Sequence, residues 1–147
     1  MTNDKVIELL QQYPFFKDDY RRIQQDLKKY IELQDNVRQT LLQAQKLSDT
    51  HSGQRTSNQT LDAVIKLIDT HQANIDYCLE QIYEINKYKK WIDKAFKTLT
   101  EREKRIVILK YINQMSNKGI AYTIDLPRNT VSNLLLDIIN KIKTIIN

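Results

Sequence analysis

Glycine and proline are almost missing from this sequence. There are two of each: Gly53, Gly119, Pro14 and Pro127. Tight turns with φ > 0 favour Gly or Asn, so this scarcity argues against an all-β fold with many hairpins. It argues equally against Gly-rich phosphate loops of the Walker or dinucleotide type. The single cysteine, Cys78, excludes an internal disulfide framework. Two histidines, His51 and His71, are too few for a protein-only zinc site. No apolar run exceeds the four residues Ile106 to Leu109, so no segment is expected to span a membrane. Asp4, Lys5 and Glu8 stand where a secretory peptide would be apolar, which predicts a cytoplasmic protein.

What the sequence does hold is charge in an amphipathic pattern. Of its 147 residues, 41% are apolar and 28% charged, enough apolar surface for one domain or two small ones sharing a core. The net charge of +5 is unevenly spread. Residues 1–60 hold nine Lys/Arg and eight Asp/Glu, residues 61–98 six of each, and residues 99–147 eight and four. Four of the five excess charges therefore fall in the last third. A localised basic excess is the minimal footprint of nucleic-acid binding.

The spacing predicts a short helix over residues 4–12, with Val6, Ile7, Leu9 and Leu10 as its apolar face. Tyr13-Pro14 stops it, because the residue before proline is pushed out of the α region, and Pro14 suits the start of the next helix. Phe16, Tyr20, Ile23, Leu27, Tyr30, Gln34, Val37, Leu41 and Ala44 then follow at alternating steps of four and three. That repeat keeps one seam toward one partner, as in a coiled coil. Residues 48–60, SDTHSGQRTSNQT, contain no large apolar side chain and read as a loop. A second seam follows: Leu61, Val64, Ile68, His71, Ile75, Cys78, Ile82, Ile85, Lys89, Ile92 and Phe96. Two such helices joined by a polar loop fold back most simply as an antiparallel hairpin. A turn centred near residue 54 places Gln34 opposite about residue 74, within a turn of His71. Either these two polar residues share a layer and hydrogen-bond, fixing register, or one or both reach solvent at the seam's edge. A hairpin alone leaves apolar faces exposed, for residues 6–10, the C-terminal region or a second copy to cover. Homodimerisation is the natural expectation.

The last third is organised differently. Thr100 and Glu103 have the spacing of a capping box, opening a helix whose buried side is Ile106, Val107, Leu109 and Tyr111 and which ends near 113–116. Residues 116–126 predict a short helix with Ile120 and Ile124 inward. Ala121 between them lets a second helix cross closely. Pro127 begins the last helix, through Val131, Leu134, Leu135, Ile138, Ile139, Ile142 and Ile145. Two helices joined by a turn near Asp125-Leu126 make a helix-turn-helix, whose second helix presents its N-terminal residues to the DNA major groove.

The stretch LTEREKRIVILKYINQMSNKGIAYTIDLPRNTVSNLLLDII resembles the helix-turn-helix of bacterial σ factors that reads the −35 promoter element. The likeness rests on Leu99-Thr100-Glu101-Arg102-Glu103, Leu109-Lys110-Tyr111, Ser116, Ile120-Ala121 and Arg128-Asn129-Thr130-Val131-Ser132. Tyr13-Pro14 followed by a long charged helix is similar to small phage regulators of the ArpU/RinA type, which activate late genes. The chain departs from the σ-like pattern at Asp125, where the turn usually has Gly. Asp tolerates left-handed backbone better than most residues. It departs again at Leu134 and Asp137, where recognition helices often carry basic residues. That suggests a different base sequence, or weak binding by each module offset by dimerisation.

The residues expected to touch DNA face outward from the start of the last helix. Arg128 suits bidentate bonding to guanine O6 and N7. Asn129, Ser132 and Asn133 suit base edges or phosphates, and Thr130 a phosphate or a thymine methyl. Lys118, with the N-terminus of its helix, suits a phosphate. Lys104, Arg105 and Lys110 are further candidates for the backbone. For Thr130 and Ser132 simple helix-start chemistry explains the residues as well, and Arg128 also reads as a solvated surface arginine.

Catalytic chemistry finds no foothold. Cys78 lies on a seam and reads as a small buried apolar residue. His71 has no Ser, Cys or carboxylate in a catalytic order. Asp18-Asp19 and Glu101/Glu103 stand at helix starts, where they favour the macrodipole. The expected protein is therefore all-α and not an enzyme, with no cofactor and no metal. Residues 1–98 form a long antiparallel helical hairpin for dimerisation or partner binding, and residues 99–147 a C-terminal helix-turn-helix. The resemblance implies an activator that binds double-stranded DNA and recruits host RNA polymerase, without the promoter-melting region of a complete σ factor; the hairpin adds the expectation of a homodimer, in the host cytoplasm. A phage small terminase subunit, or an adaptor that binds protein instead of DNA, are the alternatives.

Overall fold

The computed structural model describes residues 1–50 and 58–147, and among them every regular element is helical. Helix α1 (Asn3–Gln12) leads through a 3₁₀ turn (Tyr13–Phe15) into α2 (Phe16–Thr50). After α3 (Asn58–Thr98) come α4 (Glu101–Val107), a π-helical turn (Ile108–Ile112), α5 (Asn117–Ile124) and α6 (Arg128–Ile146). The all-α expectation holds. No helix of the described residues is long and apolar enough to cross a membrane. Contacts divide the chain into two units, Asp18–Glu84 and Met1–Lys17 with Ile85–Asn147. The sequence pattern places the change from hairpin to helix-turn-helix at residue 98.

The unit Asp18–Glu84 is a two-helix hairpin. Every seam position of α2 from Tyr20 to Ala44 is buried or half-buried, and every other residue between 20 and 46 is exposed. The α3 seam from Leu61 to Ile82 is likewise buried or half-buried. Antiparallel pairing follows from the cross-contacts. The Asp26 charge acts on Cys78, Tyr30 lies against His71 with rings 6.5 Å apart, and Gln34 bonds to residues 68 and 72. Gln34 is buried, as a seam residue should be, but its partner is not His71. Its Nε2 donates to Gln72 Oε1 at 3.0 Å and to the Ile68 carbonyl at 3.2 Å. The observed partners of Gln34, residues 68 and 72, fall two to six residues before the position that a turn centred near residue 54 gives, and a single residue rotates a helical position by about 100°. The helices also extend into the segment expected to be a loop. Residues 48–50 and 58–60 are helical, and the rest of that segment, 51–57, lies outside the described residues. Burial pushes the Cys78 thiol above its usual range, with help from the Asp26 carboxylate. That is the state of an inert thiol.

The unit Met1–Lys17 with Ile85–Asn147 has one core. Val6, Leu9 and Leu10 of α1 join Ile92, Ala95 and Leu99 near the end of α3, and Ile106, Val107, Ile120, Val131, Ile138 and Ile142, in a single buried cluster. The apolar face of α1 thus covers the C-terminal helices. Thr2 caps α1 by accepting from the Lys5 N–H at 3.2 Å. Pro14 does not end the helical path. It sits in a 3₁₀ turn, where its fixed φ and missing N–H are tolerated, and the chain continues into α2. Tyr13 locks that corner. Its ring stacks on Phe96 at 5.8 Å and meets Phe16 edge-on at 6.0 Å, while its hydroxyl donates to Asp93. Burial first, then that bond and the carboxylate charge, push the Tyr13 hydroxyl up to about 12. Lys89, which the spacing put on the seam, is exposed and stands 3.7 Å from Asp93.

Candidate nucleic-acid interface

The site is built by α5, the turn after it, and the first two turns of α6. Each end is fixed by local chemistry. Thr100 caps α4 with both halves of the capping box made: its hydroxyl accepts from the Glu103 N–H at 3.2 Å, and its own N–H donates to the Glu103 carboxylate at 2.9 Å. Glu103 also receives Lys141 Nζ at 3.0 Å, which ties the start of α4 to α6. The Thr100 N–H above all holds the Glu103 carboxyl below its usual range. Partial desolvation opposes it, and Lys141 adds to it. The helix then widens at residues 108–112, where the Asn113 N–H reaches back to the Ile108 carbonyl at 2.9 Å. Gln114 closes this end with φ 56°. Left-handed backbone is unusual for Gln, and the sequence carries no signal for it.

Ser116 caps α5 by accepting from the Gly119 N–H at 3.0 Å. A Cβ on Gly119 would lie 3.3 Å from Ser116 Oγ and 3.4 Å from Met115 Cε, so glycine leaves room for the cap. At the other end Asp125 is left-handed, φ 56° and ψ 54°, and the Leu126 N–H bonds to the Ala121 carbonyl at 2.9 Å. This is the Schellman closure that usually takes Gly. Asp fills it here, as its tolerance of that region allows. Pro127 then precedes α6 with extended backbone, one residue outside the helix that it was expected to begin.

Helix α6 is divided cleanly. Val131, Leu135, Ile138, Ile139 and Ile142 are buried. Ala121 is buried, as expected where a second helix crosses closely. Arg128, Asn129, Ser132, Asn133 and Leu136 are exposed, and Thr130 is half-buried at the edge. Lys118 is exposed at the start of α5. The helix-turn-helix thus presents Arg128, Asn129 and Asn133 together at one end of α6. Ser132 is engaged differently. Its Oγ accepts from Asn117 Nδ2 at 3.2 Å and lies 3.4 Å from the Arg128 carbonyl, so it joins α5 to α6. Among the further backbone candidates, Lys104 is paired with Glu101 at 3.1 Å, and Arg105 is exposed.

Three further residues shape this site. Asn117 holds Ser132, a contact across fifteen residues that no local pattern announces. Leu136 is 54% exposed on the same side as Asn129 and Asn133, and its seven-residue spacing from Asn129 was the available signal. Tyr122 is 91% exposed on α5, one turn after Lys118. Charge also divides more sharply than thirds of the sequence suggested. The unit containing the helix-turn-helix has fifteen Lys/Arg against seven Asp/Glu, a net +8, while Asp18–Glu84 carries −3. Among the described residues no group of His, Cys, Asp or Glu is placed to hold a metal ion.

Residues 89–138 match the family model described as Sigma-70, region 4. The match begins inside α3 and ends in α6, covering α4, α5, the turn after it and residues 128–138 of α6. Those helices are therefore a σ-like helix-turn-helix, of the class that binds DNA in transcription. No curated protein and no solved structure matches the chain.

Proposed function

We propose that this protein is a sequence-specific DNA-binding regulator of transcription, with α6 in the major groove. The carrying observation is the row of Arg128, Asn129 and Asn133, exposed at the N-terminal end of α6 on a helix whose opposite face is core. In a helix-turn-helix those positions meet base edges. Arg128 reads guanine, and Asn129 and Asn133 read adenine or hold phosphates. Thr130 and Lys118 take backbone positions, and Ser132 orients the reading helix through Asn117. The +8 charge of the unit favours the same polyanion. The match to σ region 4 supports a promoter setting, with RNA polymerase as the protein partner.

The finer reading is a prophage or phage late-gene activator of the ArpU/RinA type, acting as a homodimer in the host cytoplasm. The residues quoted for that resemblance support it, and the hairpin suits dimerisation. Selection of bound duplexes from a random pool tests the whole reading. The wild-type chain is expected to enrich one motif. Arg128→Ala is expected to lose about 1–3 kcal/mol on that motif and to relax preference at one base pair. Enrichment of the same motif with undiminished strength would remove Arg128 from the readers, and no enrichment by the wild type would end the proposal.

A further inference from the structure

The last turns of α3 carry a charge concentration that the reading row on α6 does not use. Between residues 85 and 98 stand Lys87, Lys89, Lys90, Lys94 and Lys97, against the single carboxylate of Asp93. That carboxylate is already shared by the Tyr13 hydroxyl and Lys89. Lys87 lies over the Trp91 ring at 4.7 Å. This leaves Lys90, Lys94 and Lys97, all exposed and without a carboxylate partner among the described residues. Steps of four and three put them on one face, along about 10 Å of helix axis. The buried side of the same segment is Ile92, Ala95 and Leu99. Like charges at such spacing repel and weaken a helix, and among the described residues no ion pair offsets these three.

We propose that this lysine ridge is a second nucleic-acid contact, which takes phosphates of a DNA backbone independently of the base-reading row. The inference rests on the DNA-binding reading above and adds a surface to it. Two features favour DNA over an acidic protein. Every basic residue in the segment is lysine, a flexible point charge that suits a phosphate of any sequence; the bidentate geometry that favours arginine is absent. A duplex also offers negative charge every few ångströms along its length, on the scale at which the ridge repeats.

The test uses the full chain and a 30-base-pair duplex of random sequence, with affinity measured across a salt series. Each lost phosphate contact lowers the slope of log affinity against log salt by about 0.9. The triple variant Lys90→Gln, Lys94→Gln, Lys97→Gln is expected to lower it by about two to three, with helix content unchanged. Removing the same charge from the hairpin, with Lys28→Gln, Lys29→Gln and Lys66→Gln, is expected to leave the slope at the wild-type value. Equal falls in both variants would reduce the effect to net charge and overturn the ridge. An unchanged slope in the first variant would also overturn it and leave the lysines to an acidic protein partner. A wild-type chain that binds no duplex at low salt would defeat the DNA-binding reading itself, which separates the two failures.

Discussion

Val131→Asp is expected to unfold the unit that carries the helix-turn-helix. Val131 is fully buried, in one cluster with Ile106, Ile120, Leu135 and Ile138. A carboxylate there loses its water and gains no partner in that apolar cluster. An uncompensated buried charge is worth about 3–5 kcal/mol of destabilisation, a large share of a small unit's stability of roughly 5–15 kcal/mol. The readout is thermal melting followed by Trp91 fluorescence. Trp91 is the protein's single tryptophan and lies within the unit. The variant should lack the cooperative transition and should not bind DNA. A variant that melts at the wild-type temperature would show that Val131 is not core.

Leu9→Ala is the second large effect, and sequence distance makes it informative. Leu9 stands more than a hundred residues before α6, yet it is fully buried in the same cluster as Val131 and Ile142. Truncating a buried leucine removes transfer free energy and leaves a cavity, about 2–5 kcal/mol in all. The same Trp91 melt should shift down by roughly 8 °C or more, since each kcal/mol moves a domain of this size by about 4–8 °C. DNA affinity at the elevated end of the range should fall with it. A shift below a degree would mean that α1 does not complete the core of the helix-turn-helix.

These two residues also mark what the sequence could and could not reveal. The core role of Val131 follows from periodicity on its own helix, and the same holds for the seam from Tyr20 to Ala44. The capping box at Thr100 and the left-handed Asp125 are local as well: a few neighbouring residues contain the whole signal. The burial partner of α1 is tertiary. Its apolar face showed that it must be covered and not by what. The choice between Gln72 and His71 as the partner of Gln34 turns on the register of the two helices and on a rotation of about 100° per residue, neither of which the seam spacing alone fixes. At the interface, exposure of Arg128, Asn129 and Asn133 could be read from the pattern. The Asn117–Ser132 bond could not, because it depends on how α5 crosses α6. The lysine ridge was hidden by counting: residues 61–98 balance to zero because their acids lie mostly before residue 85 and their lysines mostly after it.

The central claim is that the N-terminal end of α6 meets the bases. The most direct measurement is an amide NMR titration of the labelled chain with the duplex that it selects. The largest shifts are expected at residues 128–133, with Lys118 and its neighbours following. Saturable DNA binding with those amides unmoved, and the changes confined to residues 18–84, would contradict it.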